Sequence, residues 1–169
     1  MTTREHPNRR MKRGFLGLLT IAMASVLGIV LMSGPASAAQ QCTYTADYNA
    51  CLFITRQSTG DYLVRFGIDL RKLSKKEAQT IIDAPGHPFY ANLIGSDFKD
   101  EDFIGQISTT RVWASTESGL SGEGARVFSR SALNEDPEGC DELYARIAFI
   151  DPRTGASRGW TTPQIALCI

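Results

Sequence analysis

The sequence contains few histidines and carries no net charge, and both features restrict what the protein can do. Its 169 residues include two histidines, and 18 basic residues balance 18 acidic ones. A zinc site built from several imidazoles needs more histidines than this chain has. Nucleic acid as a generic partner requires clustered Lys and Arg, and the basic residues of residues 39–169 are scattered. No internal repeat or heptad pattern is present, which excludes a solenoid and a coiled coil.

The first 38 residues have the pattern of an export signal. Five basic residues and one acidic residue precede Ala39, so this segment carries +4 and residues 39–169 carry −4. An apolar run without charge, residues 14–32, is followed by Ala36-Ser37-Ala38, the small-x-small pattern of a signal-peptidase site. We expect cleavage after Ala38 or Ala39, which leaves a single secreted domain over residues 39–169.

Two other interpretations of this leader fit the residues less well. An apolar run of about 18 or more residues could span a membrane, but Gly34-Pro35 and the cleavage site argue against a stable anchor. Arg9-Arg10 could belong to a twin-arginine signal, although Met-Lys-Arg follows the pair where such signals have Phe-Leu. We therefore expect the general secretory route, with the twin-arginine route as the alternative.

A hairpin near the C terminus decides between the three pairings that four cysteines allow. Residues 151–155, Asp-Pro-Arg-Thr-Gly, predict a turn between two strands. If the hairpin pivots at its centre, residues whose numbers add to 307 or 308 face each other, so Cys140 lies opposite Cys168. The two cysteines near the start of the mature chain then form the other pair. Pro163 interrupts the returning strand, so the register can slip there.

Two disulfides are therefore predicted, Cys42–Cys51 and Cys140–Cys168. An even number of cysteines beyond an export signal is typical of an oxidising compartment. The chain-entropy model gives roughly 2.7 kcal/mol for the shorter loop and about 3.6 kcal/mol for the longer one. Oxidised cysteines also supply no nucleophile and no thiolate ligand for zinc.

Period-two alternation predicts an all-β fold. In residues 62–71, apolar and polar side chains alternate as they do in a strand with one buried face. Further strands are predicted over residues 51–57, 89–94, 103–114, 125–130, 143–150 and 160–169. Ser74 and Glu77 form a capping-box pattern, so residues 75–83 are predicted to be one short helix. About seven or eight short strands with one helix predict an antiparallel β-sandwich or barrel.

Three segments rich in turn residues are expected to be loops: residues 95–102, 115–124 and 132–141. The Ser/Gly/Glu-rich segment 115–124 is expected to be exposed and mobile. The predicted core comprises Phe53, Val64, Phe66, Ile68, Leu93, Ile107, Leu143, Ile147 and Phe149. Trp113 and Trp160 are expected to lie in the core or at its rim.

Residues 97–105, Asp-Phe-Lys-Asp-Glu-Asp-Phe-Ile-Gly, gather carboxylates on one loop. Calcium, which takes six to eight oxygen ligands, relieves the repulsion between such carboxylates. The Asp-Phe-Ile-Gly ending resembles a loop of the calcium-dependent phospholipid-binding β-sandwich family. The resemblance implies that Asp102 and Asp97 hold calcium, and Asp100 between them is the third candidate ligand. A solvated acidic turn is the simpler interpretation and the one we prefer.

We expect a secreted, non-enzymatic binding module that presents its acidic and Ser/Gly-rich loops to an unknown extracellular protein or cell-surface ligand. It is expected to be a monomer, without nucleic acid as partner and without a cofactor unless calcium binds. One alternative is an extracellular protease or hydrolase inhibitor that uses residues 43–50, with Tyr44 or Tyr48 as the inserted side chain.

A second alternative is a small hydrolase in which Asp97 and Asp102 act as general acid and base. No other acid–base pair stands out, because His87, the single histidine beyond the leader, lies in the turn sequence Pro85-Gly86-His87-Pro88. We interpret His87 as an exposed turn residue and assign no catalytic residue.

Overall fold

A computed structural model describes residues 38–96, 101–134 and 139–169. The described strands are β1 (Ala38–Cys42), β2 (Tyr48–Arg56), β3 (Tyr62–Leu70), β4 (Phe89–Ser96), β5 (Glu101–Ser115), β6 (Gly119–Phe128), β7 (Asp141–Ile150), β8 (Ser157–Thr161) and β9 (Ile165–Leu167). The described helices are α1 (Lys75–Ile82) and α2 (Arg130–Leu133). The predicted leader, up to residue 37, lies outside the described residues.

The described strands form one antiparallel sheet that curls on itself, which confirms the predicted all-β class. Their order is β1-β2-β3-β6-β5-β4-β7-β8, and β9 also pairs with β7. The 15-residue strand β5 belongs to both halves of the sheet. Its residues 101–108 pair with β4, and its residues 109–115 pair with β6. The register shifts between Thr109 and Arg111, and such an irregularity bends a strand and increases its twist.

The core lies on the inner face of the curled sheet. The apolar residues predicted to alternate on β3 are all buried there. The side chains of Val64, Phe66 and Ile68, for example, are at most 2% exposed. The predicted core is confirmed except at Phe53, which is half-buried. Phe53 is paired with Arg65, and paired strand residues point to the same face of a sheet. Phe53 therefore lies on the outer face, opposite to its buried neighbours in β2.

Helix α1 begins where the capping box predicts. The Ser74 Oγ accepts a hydrogen bond from the Glu77 amide at 3.2 Å, and Glu77 Oε2 accepts one from the Ser74 amide at 2.9 Å. The Ser74 hydroxyl also donates a hydrogen bond of 2.7 Å to Glu77 Oε2, and this bond, followed by the one from the Ser74 amide, lowers the pKa of Glu77. The buried face of the helix, Ala78 and Ile81, packs among the core residues. The helix ends at Ile82, within one residue of the prediction.

The segment 115–124 is not a mobile loop, so this prediction was wrong. Ser115 ends β5, residues 116–118 form a short turn, and residues 119–124 begin β6, where Leu120 and Ser121 are fully buried. β6 occupies the middle of the sheet between β3 and β5. A Gly- and Ser-rich composition is typical of loops, but it also suits a central strand against which other groups pack closely.

Two glycines of β6 show this close packing. A Cβ added to Gly122 would lie 2.4 Å from the ring of Phe89. A Cβ added to Gly124 would lie 2.3 Å from the ring of Phe66 and 2.4 Å from the carbonyl oxygen of Ser108. The absent side chains therefore make room for two core aromatic rings and for the neighbouring strand.

The C-terminal hairpin has the predicted geometry, including the register change. Opposed residues of β7 and β8 add to 307, as Ile147 and Trp160 do. Opposed residues of β7 and β9 add to 308, as Leu143 and Ile165 do. The change falls between β8 and β9, the segment that contains Pro163, and the proline accounts for the interruption.

Both predicted disulfides are present, Cys42–Cys51 and Cys140–Cys168. Cys42 and Cys51 are directly opposed on β1 and β2, and all four cysteines are bonded. Disulfides of this kind are typical of an extracellular or otherwise oxidising environment. Within the described ranges, no helix combines the length and the hydropathy needed to cross a membrane.

Gly124→Ala tests the close packing of the central strands. We expect it to lower the free energy of unfolding by about 1–3 kcal/mol, because the Ser108 carbonyl and the Phe66 ring leave no room for a methyl group. Gly159→Ala on β8 is the matched control, since its Cβ would make an ordinary 3.7 Å contact. Urea unfolding of the two variants measures the difference, and equal midpoints would contradict the packing argument.

Candidate functional site

A pocket of about 470 Å³ lies between the end of β3, helix α1 and the β7–β8 hairpin. We call it the end pocket. Its apolar wall consists of Tyr48, Leu70, Leu73, Ile81, Phe149 and Trp160. Small-molecule sites are typically concave, largely apolar and about 300–1,000 Å³ in volume. The end pocket has both the size and the lining of such a site.

The strand register brings these side chains together. Tyr48, the first residue of β2, is opposed to Leu70, the last residue of β3. On the other side of the pocket, Phe149 and Trp160 lie on neighbouring strands, β7 and β8. The rings of Tyr48 and Trp160 meet with their centroids 5.9 Å apart and their planes tilted by 47°. This aromatic contact links the two halves of the sheet at the pocket.

Charged side chains also line the end pocket: Asp47, Lys72, Asp151, Arg153 and Arg158. The Lys72 ammonium lies 2.6 Å from the Asp47 carboxylate, and both side chains are exposed. Arg153 contacts Asp151 through Nη2 at 2.7 Å and through Nε at 2.9 Å. Among the described residues, Arg158 has no acidic side chain within salt-bridge distance. Three basic and two acidic residues leave the pocket lining with a net charge of +1.

The ion pair between Asp151 and Arg153 fixes the β7–β8 turn against α1. Arg153 Nη1 donates a hydrogen bond of 2.8 Å to Thr80 Oγ1 on the helix. The hydrogen bonds from the Arg153 side chain lower the pKa of Asp151, and the same contact raises the pKa of Arg153. A general acid needs a raised carboxyl pKa, so the environment of Asp151 suits structure and binding rather than proton transfer.

A second depression, of about 480 Å³, lies on the outer face of the sheet around Gly67. We call it the outer groove. Its aromatic residues include Phe53 and Trp113. The guanidinium of Arg65 lies 5.2 Å from the centroid of Phe53, and that of Arg111 lies 4.9 Å from the centroid of Trp113. Because arginines already contact both rings, the outer groove offers less free apolar surface than the end pocket.

The structure does not test the predicted calcium site. Asp97 and Asp100 lie outside the described residues, and Asp102 is an exposed residue of β5 opposed to Gly95. Within residues 38–96, 101–134 and 139–169, no three His, Cys, Asp or Glu side chains group so as to hold a metal ion. Calcium binding by Asp97, Asp100 and Asp102 stays a prediction, and so does the hydrolase alternative that uses Asp97.

The structure places the other candidate residues in different surroundings. Tyr44 is 71% exposed in the β1–β2 connection. Tyr48 packs against Trp160 and is therefore not free to insert into a partner. His87 is exposed in a turn, as expected. Trp160 is half-buried and packs at the rim of the core, as expected, but its role in a pocket was not predicted.

An ionic cluster at the start of β5 was not predicted from the sequence. Tyr144 Oη donates a hydrogen bond to Glu101 Oε1, and Arg146 Nη2 contacts Glu101 Oε2, each at 2.5 Å. The hydrogen bond from Tyr144 is the main reason why the pKa of Glu101 is lowered, while burial raises the pKa of Tyr144. Tyr144 and Arg146 are two residues apart on β7, so their shared face was readable from the sequence. Their partner on β5 was not.

Comparison with known proteins adds no relative. No protein-family model, no curated protein and no solved structure matches the chain. The end pocket is therefore interpreted from its own residues, which combine a continuous apolar wall with a positively charged rim.

Asp151→Asn tests the contribution of the turn to stability. The lowered pKa means that ionised Asp151 stabilises the fold above the ordinary aspartate pKa of about 4. This contribution is lost as the pH falls through the lowered value. We expect the variant to have a lower thermal midpoint than the wild type near neutral pH and to approach it in acid.

Thermal unfolding between about pH 7 and pH 2 measures this difference. Asp102→Asn, which changes an exposed carboxylate on β5, is the control and should leave the midpoint nearly unchanged at neutral pH. A deficit of Asp151→Asn that stays constant down to the lowest pH would show that ionisation of Asp151 is not the cause.

Proposed function

We propose that this protein is a secreted, non-enzymatic binding module that holds a small ligand in the end pocket. The single observation that carries the proposal is the set of six apolar side chains, three of them the aromatic rings of Tyr48, Phe149 and Trp160, around a cavity of about 470 Å³. Burial of apolar surface stabilises a complex by about 25 cal/mol per Å², so an apolar ligand group gains affinity from such a wall.

The walls of the end pocket are held in place without a ligand. Arg153 connects the β7–β8 turn to Thr80 of α1, and the Tyr48–Trp160 contact connects the two halves of the sheet. A pocket that is already formed loses less conformational entropy on binding than one that must be ordered. The preformed walls therefore support ligand binding rather than a function that requires a large conformational change.

The predicted export signal and the two disulfides support a role outside the cell. The ligand is then a molecule or group met there, either free or displayed on an extracellular protein or cell surface. Binding by a pocket differs from the loop-mediated recognition that the sequence suggests, because the Ser/Gly-rich segment 115–124 is largely a central strand.

A fluorescence titration tests the proposed function. In a Trp113→Phe background, Trp160 is the only remaining tryptophan and reports on the end pocket. We expect 1-octanol, a neutral apolar probe, to change its fluorescence saturably. Ala156→Phe should weaken binding at least about tenfold, because the added ring competes for the pocket, and each factor of ten corresponds to about 1.4 kcal/mol.

Ala166→Phe on β9 is the matched control, since Ala166 is exposed and does not line the end pocket. It should bind octanol like the background protein. A titration without saturation, or equal weakening by both substitutions, counts against the end pocket as the binding site.

Inhibition of extracellular proteases is a second candidate function, and the backbone conformation of Tyr44 supports it. This exposed residue has φ 50°, a conformation that costs free energy in residues other than glycine. Its loop is closed by the Cys42–Cys51 disulfide and by the hydrogen bond from the Thr43 amide to the Ala50 carbonyl at 3.1 Å. A braced loop with an exposed aromatic side chain is what an inhibitor inserts into a protease.

Equimolar incubation with trypsin, chymotrypsin and subtilisin tests this second candidate. An inhibitor should block at least one of them stoichiometrically and lose that effect in Tyr44→Gly, which relieves the backbone strain but removes the anchor. Phe103→Ala, which changes another exposed aromatic side chain, should inhibit like the wild type. Full protease activity in the presence of the wild-type protein would exclude this function.

A further inference from the structure

Arg158 is placed to meet one end of a ligand in the end pocket. It lies on β8, directly opposed to Phe149 of β7, and opposed residues point to the same face of a sheet. Trp160 follows two residues later and therefore shares that face. The exposed guanidinium thus borders the same cavity as the two aromatic rings.

The other basic residues of the pocket are already engaged. Lys72 contacts Asp47, and Arg153 contacts both Asp151 and Thr80. No acidic residue among those described lies within 4.0 Å of Arg158. A guanidinium without a counter-charge among the described residues attracts an anionic group from a ligand, and its planar donors match a carboxylate in a bidentate contact.

We infer that the end pocket selects amphiphilic monoanions, with an apolar chain or ring against Trp160 and Phe149 and a carboxylate on Arg158. This inference rests on the proposed function and adds the ligand class to it. The net charge of +1 on the pocket lining favours a ligand with one negative charge over a neutral ligand. A cationic head group would face Arg158 without compensation and is disfavoured.

Three probes that share one chain and differ in the head group test this selectivity: octanoate, 1-octanol and octylammonium. In the Trp113→Phe background we expect octanoate to bind about two- to fivefold more tightly than octanol, because an ion pair with an exposed guanidinium contributes up to about 1 kcal/mol. Octylammonium should bind most weakly. The advantage of octanoate should shrink as the salt concentration rises, because salt screens the exposed charge.

Arg158→Gln should reduce the affinity for octanoate to about the affinity for octanol that the same variant shows. Arg158→Lys should retain part of the preference, because it keeps the charge but loses the bidentate geometry. Arg56→Gln, an exposed arginine of β2 outside the pocket, is the matched control and should retain the full preference.

The outcomes separate this inference from the proposed function. If octanol and octanoate bind equally well and Arg158→Gln changes neither affinity, the end pocket binds apolar groups but the anion selectivity is wrong. If none of the three probes binds, the proposed function fails together with the inference.

Discussion

The passage of β5 through both halves of the sheet is the constraint on which the rest of the structure depends. Its first half pairs with β4 and its second half with β6, with an irregular register between them. Where the two halves meet, β5 can lie close to β6 only because Gly124 leaves room for the Ser108 carbonyl and the Phe66 ring. This bend turns a row of strands into a curled sheet with a common inner face.

The end pocket follows from the same curl. The inner face stays apolar along β3 and β7, as far as Leu70 and Phe149 at the ends of these strands. There the core gives way to a cavity, which α1 and the β7–β8 turn enclose through the contact between Arg153 and Thr80. Apolar side chains that would otherwise be exposed thus form a wall, and the charged residues of the turn form its rim.

The sequence predicts those parts of the fold that depend on neighbouring residues. Alternation along β3, the capping box of α1 and the turn at residues 151–155 each lie within one short segment, and the hairpin register then predicts the Cys140–Cys168 pair. Phe53 was assigned wrongly because residues 51–54 are apolar on both faces of β2, so alternation does not show which face is buried. The segment 115–124 was assigned wrongly because its burial depends on β3, a strand distant in sequence. The end pocket could not be predicted for the same reason, since its wall combines side chains from β2, the end of β3, α1, β7 and β8.

Amide chemical-shift mapping of isotope-labelled protein titrated with octanoate tests the central claim, that the open end of the curled sheet is the binding site. The end pocket predicts the largest changes at Leu70, Leu73 and Phe149 and at the indole N–H of Trp160. Largest changes around Phe53 and Trp113 instead would place the ligand in the outer groove and contradict the account.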